Sequence, residues 1–242
     1  DESSQVTIVE DYISSGGGHY FTNAVTEFVV DPNAMATHYM LNHESLQAFN
    51  ISTLQIQQMR NSRFTSHSVL FGGAIVRNNI NAVLAGEGCD SLLNGLYVPS
   101  GDQVVDNHIR VDHTEPHCNS RQFYKGIMRD HSRGMFRGRI IVRPDAQKTD
   151  AVQSNNNLLL SEDASIHSDP QLEIYADDVK CTHGSTTGQM EEEAIFYLRS
   201  RGISEQTARS MLIHAFANDS LERIRSETIR ARLAQELSAR LI

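Results

Sequence analysis

The sequence predicts a mainly β fold, best read as a β-solenoid, followed by a C-terminal α-helical region. Three observations carry this. Residues 1–190 break into short runs in which apolar and polar residues often alternate, the period of a strand. Gly, Asn, Asp and Pro punctuate those runs. Residues 191–242 then switch to the 3.6-residue period of amphipathic helices. These two stretches are the expected domains.

The strand-like runs begin with Val6–Ile13, Phe21–Val30, Ala36–Asn42 and Ile51–Met59. Turn signals stand at Gly16-Gly17-Gly18, Asp31-Pro32-Asn33, Gly72-Gly73, Gly86-Glu87-Gly88 and Arg143-Pro144-Asp145. No amphipathic helix interrupts the stretch, which excludes a doubly wound α/β fold. A sandwich, a barrel and a solenoid all fit the pattern. Weak internal similarity favours the solenoid. A turn ending in Ala recurs at Asp31–Ala34, Arg143–Ala146 and Ser161–Ala164, and the last two lie 18 residues apart, read as one coil. The Asn runs Asn78-Asn79 and Asn155-Asn156-Asn157 are expected in turns, stacking between coils.

In the last region, Glu191–Arg201 reads as a helix with Ala194, Ile195, Tyr197 and Leu198 on one face. Gly202 stops it and Ser204 caps the next. There Ala208, Met211, Leu212, Ala215 and Phe216 form one stripe. Asn218-Asp219-Ser220 breaks and recaps. A third helix carries Leu221, Ile224, Ile229, Leu233, Leu237 and Leu241. The stripes suit packing on the same domain, or partly on a partner subunit.

The net charge of -9 argues against nucleic acid as a partner. Residues 191–242 hold eight basic and eight acidic residues, so all of the excess negative charge lies in residues 1–190. No apolar run reaches the ~18 residues of a membrane span, and no secretory signal opens the chain. The three cysteines, Cys89, Cys118 and Cys181, form no CxxC pair, which suits a reducing cytoplasm. The start without Met, in strand-like sequence, suggests that a further N-terminal region precedes it.

Cys181-Thr182-His183 is the leading site. Residues i and i+2 of a strand share a face, so a thiol and an imidazole would stand side by side, both ligands for iron. Two ligands do not close a site, so another strand or chain must complete it. A buried, inert Cys and His is the alternative. His108, His113, His117 and Cys118 form a second cluster. As a strand it would put His113 and His117 on one face and Cys118 on the other, with Asp112 and Glu115 as hydrogen-bond partners without metal. No G-x-S-x-G elbow and no Gly-Lys-Ser/Thr phosphate loop is present. Asp177-Asp178 would point to opposite faces of a strand.

Three blocks then carry a resemblance: His113–Arg121 (HTEPHCNSR), Arg143–Ala151 (RPDAQKTDA) and Glu173–Gly184 (EIYADDVKCTHG). The last continues through Gly188-Gln189 to Phe196–Ile203 (FYLRSRGI). Together they closely resemble the SufB/SufD family of iron–sulfur cluster assembly proteins. The resemblance implies a right-handed parallel β-helix with a C-terminal helical region, and an N-terminal helical region absent from these residues. Within the family the chain looks like the D type. The B type has a cluster-building cysteine where Asn155 stands, and a Glu where Gly184 follows the histidine. The resemblance implies that His183, with Cys181 nearby, offers a half-site to a SufB-like subunit, and that a SufC-like ATPase docks on the helical region. It implies a non-catalytic scaffold with no resident cofactor, meeting iron or a nascent cluster only transiently at the partner interface. A homodimer is expected in isolation. A β-helix enzyme acting on polysaccharide is the alternative, weakened by the absence of Trp from its sugar platforms. A structural or binding solenoid without a metal role is the other.

Overall fold

A computed structural model of the chain describes residues 1–241, the side chain of Leu241 apart. Thirteen strands come first: β1 (Gln5–Ile13), β2 (Tyr20–Val30), β3 (Met35–His43), β4 (Ala48–Gln58), β5 (Arg63–Leu70), β6 (Ile75–Leu84), β7 (Asp90–Tyr97), β8 (Val104–His113), β9 (Asn119–Met128), β10 (Arg133–Val142), β11 (Asp150–Leu159), β12 (Ser165–Ile174) and β13 (Lys180–Gln189). Odd-numbered strands form a seven-stranded sheet in the order β1-β3-β5-β7-β9-β11-β13, and even-numbered strands form a six-stranded sheet from β2 to β12. Every pairing is parallel, so the chain alternates between two sheets and climbs one coil per pair of strands. This is the β-solenoid, not a sandwich or barrel.

The coil is longer than the repeat inferred from sequence. Met35 pairs Arg63, Arg63 pairs Asp90, Asp90 pairs Asn119 and Asn119 pairs Asp150, steps of 27 to 31 residues. The 18-residue spacing of Ala146 and Ala164 is a half-coil, from the corner before β11 to the corner before β12. Both alanines are buried. The corners before β1, β3, β5, β7, β9 and β11 have positive φ at Ser3, Asn33, Asn61, Gly88, His117 and Lys148, and three of the opposite corners do so at Gly73, Gly101 and Asp130. Asn61 Nδ2 donates to Asn33 Oδ1 at 3.4 Å, one coil to the next. Those are the left-handed asparagines. The Asn runs singled out above lie inside β6 and β11 instead. They do stack between coils: Asn78 Nδ2 donates to Asn107 Oδ1 at 3.2 Å inside the solenoid.

Alternate residues of each strand face a closed interior. Phe28, Phe64, Leu93, Tyr124 and Phe136 fill it, each contributing roughly 1.5–3 kcal/mol of apolar burial. Close coil spacing demands that large residues stack on small ones. Gly95 lies under Tyr124, and a Cβ on it would sit 2.1 Å from the ring. Tyr97 lies in turn beside Gly126.

Three helices follow: α1 (Glu192–Ser200), α2 (Glu205–Leu221) and α3 (Glu227–Leu241). Gly202 takes φ 84° after α1, and Ser204 Oγ accepts from Thr207 N at 3.2 Å, as the capping residues require. The C-terminal halves of β3, β5 and β7 are buried on both faces. The reason is that α2 and α3 lie on the outside of the seven-stranded sheet. Ile213, Ala217, Leu221, Ile224, Leu233 and Leu237 pack there on Tyr39, Val69, Phe71 and Leu96. Three expectations change. The buried stripe of α2 runs through Ala208, Ile213, Ala217 and Leu221, leaving Met211 and Ala215 exposed. Helix α2 continues through Asn218-Asp219-Ser220, because Ser220 and Leu221 seat on the sheet, and the break falls before Glu227. Only Ile195 of α1 is buried, and Tyr197 stays exposed. The expected contact of Leu241 lies outside the described residues.

Candidate functional site

The last two strands leave the interior open at one end. In β13, Cys181, His183, Ser185 and Thr187 continue the inward-facing rows of β11, opposite Ala151, Gln153, Asn155 and Asn157. The β11 residues are all buried, whereas Cys181 is half-buried and His183, Ser185 and Thr187 are exposed. The difference follows from position, since among the described residues no further coil covers β13. From the opposite sheet, Ile166, Ser168, Pro170 and Leu172 of β12 continue the inward rows of β10. Ser185 Oγ donates to Ser168 Oγ at 2.8 Å and closes the terminal coil across the two sheets.

The expected juxtaposition of Cys181 and His183 on one strand face is therefore present, and the face is the solenoid's own open end. The two side chains differ in access. Cys181 packs against the small apolar cluster of Ile140, Val142, Ala151 and Ala176, with Leu172 and Val179 beside it. Burial, reinforced by the Asp150 carboxylate, pushes its thiol above the usual range and keeps it protonated at neutral pH. His183 projects into solvent. An imidazole is a ready ligand, while the thiol must lose its proton as a metal arrives.

Behind this row lies a buried polar network. Ser168 Oγ donates to Asn155 Oδ1 at 2.8 Å, and Asn157 Nδ2 donates to the same oxygen at 2.7 Å. Tyr97 OH donates to Asn157 Oδ1 at 2.7 Å and accepts from Asn155 Nδ2 at 3.0 Å. Burial raises the Tyr97 phenol far above its ordinary range, so it remains a donor. Of these residues the sequence singles out only Asn155 and Asn157, and those as turn residues. The signal was available, because the period-2 rule that joins Cys181 to His183 also reaches Ser185 and Thr187.

The second cluster is not assembled. His113 ends β8 inside the solenoid, its Nε2 2.9 Å from Ser120 Oγ. His117 is the exposed left-handed corner residue, so the strand alternation assumed for it does not apply. Asp112 binds Arg143 and Arg110 instead of a histidine. Among the described residues no three His, Cys, Asp or Glu side chains gather as a metal site. Nor, among them, is any helix long and apolar enough to cross a membrane.

The free edge of β13 is the other feature of this end. Among the described residues it pairs only with β11, so alternate residues along its ten-residue length present unpaired backbone groups. Edge strands are ordinarily protected by charge, proline or a bulge. After Lys180 this strand has no charged residue and no proline.

Residues 1–216 match the family model described as SUF system FeS cluster assembly, SufBD core domain. The chain is 38% identical over 240 residues to the iron–sulfur cluster assembly protein SufD of Escherichia coli K12, covering 99% of this chain and 57% of that protein. It is 36% identical over 250 residues to the SufBD family protein slr0076 of Synechocystis, covering 100% and 55%. It is 34% identical over 233 residues to the chloroplastic protein ABCI7 of Arabidopsis thaliana, covering 95% and 49%. The chain thus spans about half the length of the relatives it matches. On the family model and these identities, it belongs to the SufBD core family of the SUF system for iron–sulfur cluster assembly.

Proposed function

We propose that the chain acts as a SufD-like, non-catalytic scaffold subunit whose open solenoid end docks on a SufB-like partner. The observation that carries the reading is the combination at β13: an unprotected strand edge beside an inward row with exposed His183 and half-buried Cys181. A partner strand would add to that edge by backbone hydrogen bonding, with alternate side chains giving specificity. The same act would enclose the row. His183 then supplies one ligand to iron or to a nascent cluster, Cys181 stands ready beside it, and the partner completes the set. The cluster is cargo of the complex, not a resident cofactor. Fixed strand spacing in a solenoid holds the ligands in place without help from a loop.

The helical region is the docking face for a SufC-like ATPase. Phe196 and Tyr197 of α1, 72% and 55% exposed, are large aromatics facing solvent and suit such a contact. In isolation the β13 edge can pair with its own copy, giving a two-fold homodimer. Family membership favours this reading over a polysaccharide-processing enzyme.

The test is co-purification with SufB-like and SufC-like subunits, followed by anaerobic iron and sulfide analysis. A stable complex whose iron and sulfide fall in His183→Ala supports the half-site. A complex with wild-type iron and sulfide in that variant leaves a binding solenoid without a metal role.

A further inference from the structure

Two cysteines take no part in the open end. Cys89 and Cys118 occupy the same corner of successive coils, just before β7 and β9. Asn119 N donates to Cys89 O at 2.8 Å, which sets the two residues side by side in the parallel ladder. Neighbouring parallel strands lie about 4.8 Å apart, inside the roughly 4.4–6.8 Å window of Cα separations that a disulfide spans. Both thiols point inward and are fully buried. They converge on one acceptor: Gly86 O takes Cys89 Sγ at 3.0 Å and Cys118 Sγ at 3.2 Å. Ser62 Oγ lies 3.8 Å from Cys89 Sγ.

We infer that Cys89 and Cys118 form a reversible modification site, a disulfide stapling two coils, made by a small two-electron oxidant such as hydrogen peroxide. In the first step the Cys89 thiolate attacks one peroxide oxygen. The O–O bond breaks, hydroxide leaves, and Cys89 becomes a sulfenic acid. Cys118 sulfur then attacks that sulfur and displaces hydroxide, which takes the proton Cys118 gives up. Two thiols and one peroxide thus give one disulfide and two waters. The roles follow from the local bonds. Ser62 Oγ beside Cys89 can donate to a Cys89 thiolate, whereas Cys118 Sγ donates to the carbonyls of Gly86 and Pro116, which hold its proton. The corner Gly86-Glu87-Gly88, two of whose three residues are glycine, and the corner at Pro116-His117 lie against the pair, with the Gln58 and Met59 carbonyls on the other side of Cys89. A small oxidant reaches it by local opening, and a bulky thiol reagent does not.

The experiment treats the chain with hydrogen peroxide, blocks remaining thiols in denaturant, and maps peptides without reduction. The expected result is a Cys89–Cys118 linked peptide, two fewer free thiols, and full recovery with dithiothreitol. In Cys118→Ser the linked peptide disappears and a sulfenic-acid trap labels Cys89. Recovery of Cys89 and Cys118 as free thiols while Cys181 is oxidised would overturn the inference, as would linkage of either to Cys181. The wild-type map decides the question even where the serine variant fails to fold.

Discussion

Replacing Tyr97 by Phe removes one oxygen from the network behind the open end. Tyr97 is fully buried, and the phenylalanine ring fits the same space beside Gly126. The cost is therefore polar. Asn157 Oδ1 loses the donor at 2.7 Å, and Asn155 Nδ2 loses its better acceptor, keeping only Tyr124 O at 3.5 Å. One buried acceptor left unpaired and one donor poorly paired cost about 1–3 kcal/mol for the first and less for the second. The expected loss is about 2–3 kcal/mol, a fall in melting temperature of roughly 4–12 °C for a chain of this size. Ser185→Ala is the control, because its hydroxyl bond is exposed and should be worth less than about 0.5 kcal/mol. Thermal melting and urea unfolding of the three proteins measure both. Equal stability of Tyr97→Phe and wild type would refute the view that this interior depends on direct hydrogen bonds.

Other outcomes follow from the same structure. His67 and His113 are buried neutral, chiefly by desolvation, with pKa values lowered from 6.5 to about 4. Between those values the unfolded chain binds the extra proton, so their contribution is intact above pH 6.5. It is lost as pH falls toward 4, by about 1.4 kcal/mol per pH unit for each histidine. His113→Gln should flatten the acid side of the stability profile by that slope; a profile parallel to wild type would contradict the assignment. Gly202→Ala should cost about 1 kcal/mol, read as a lower melting temperature, because its φ of 84° is left-handed. Thr186→Lys places charge on the outward face of β13, where Thr186 is exposed. It should weaken self-association roughly tenfold or more in sedimentation equilibrium, with the melting temperature unchanged.

The strands were legible because burial alternates along them, as in β4 and β6, and the period-2 signal survives in the sequence. The coil length was not, because the two half-coils have similar corners, so Ala146 and Ala164 mimic one repeat. Asn155 and Asn157 misled for a physical reason. Asparagine favours turns by local hydrogen bonding, but inside this solenoid Asn155 and Asn157 bond each other and Tyr97, and that tertiary network prevails. His117 misled in the opposite sense, as a left-handed corner inside what reads as a strand. The stripe of α2 was misplaced because a helix with apolar residues on several faces does not say which face meets the sheet. The side-by-side placement of Cys181 and His183 was legible because the i, i+2 rule needs nothing beyond the strand itself. Their position at the open end depended on strand order, which no local pattern encodes.

Hydrogen exchange of residues 180–189, alone and with a SufB-like subunit, tests the central claim most directly. The β13 amides that face its free edge should exchange rapidly in the isolated chain and become protected in the complex, as the partner's strand adds to that edge. Protection confined to the helical region, with β13 exchanging as fast as before, would contradict the docking of the open end.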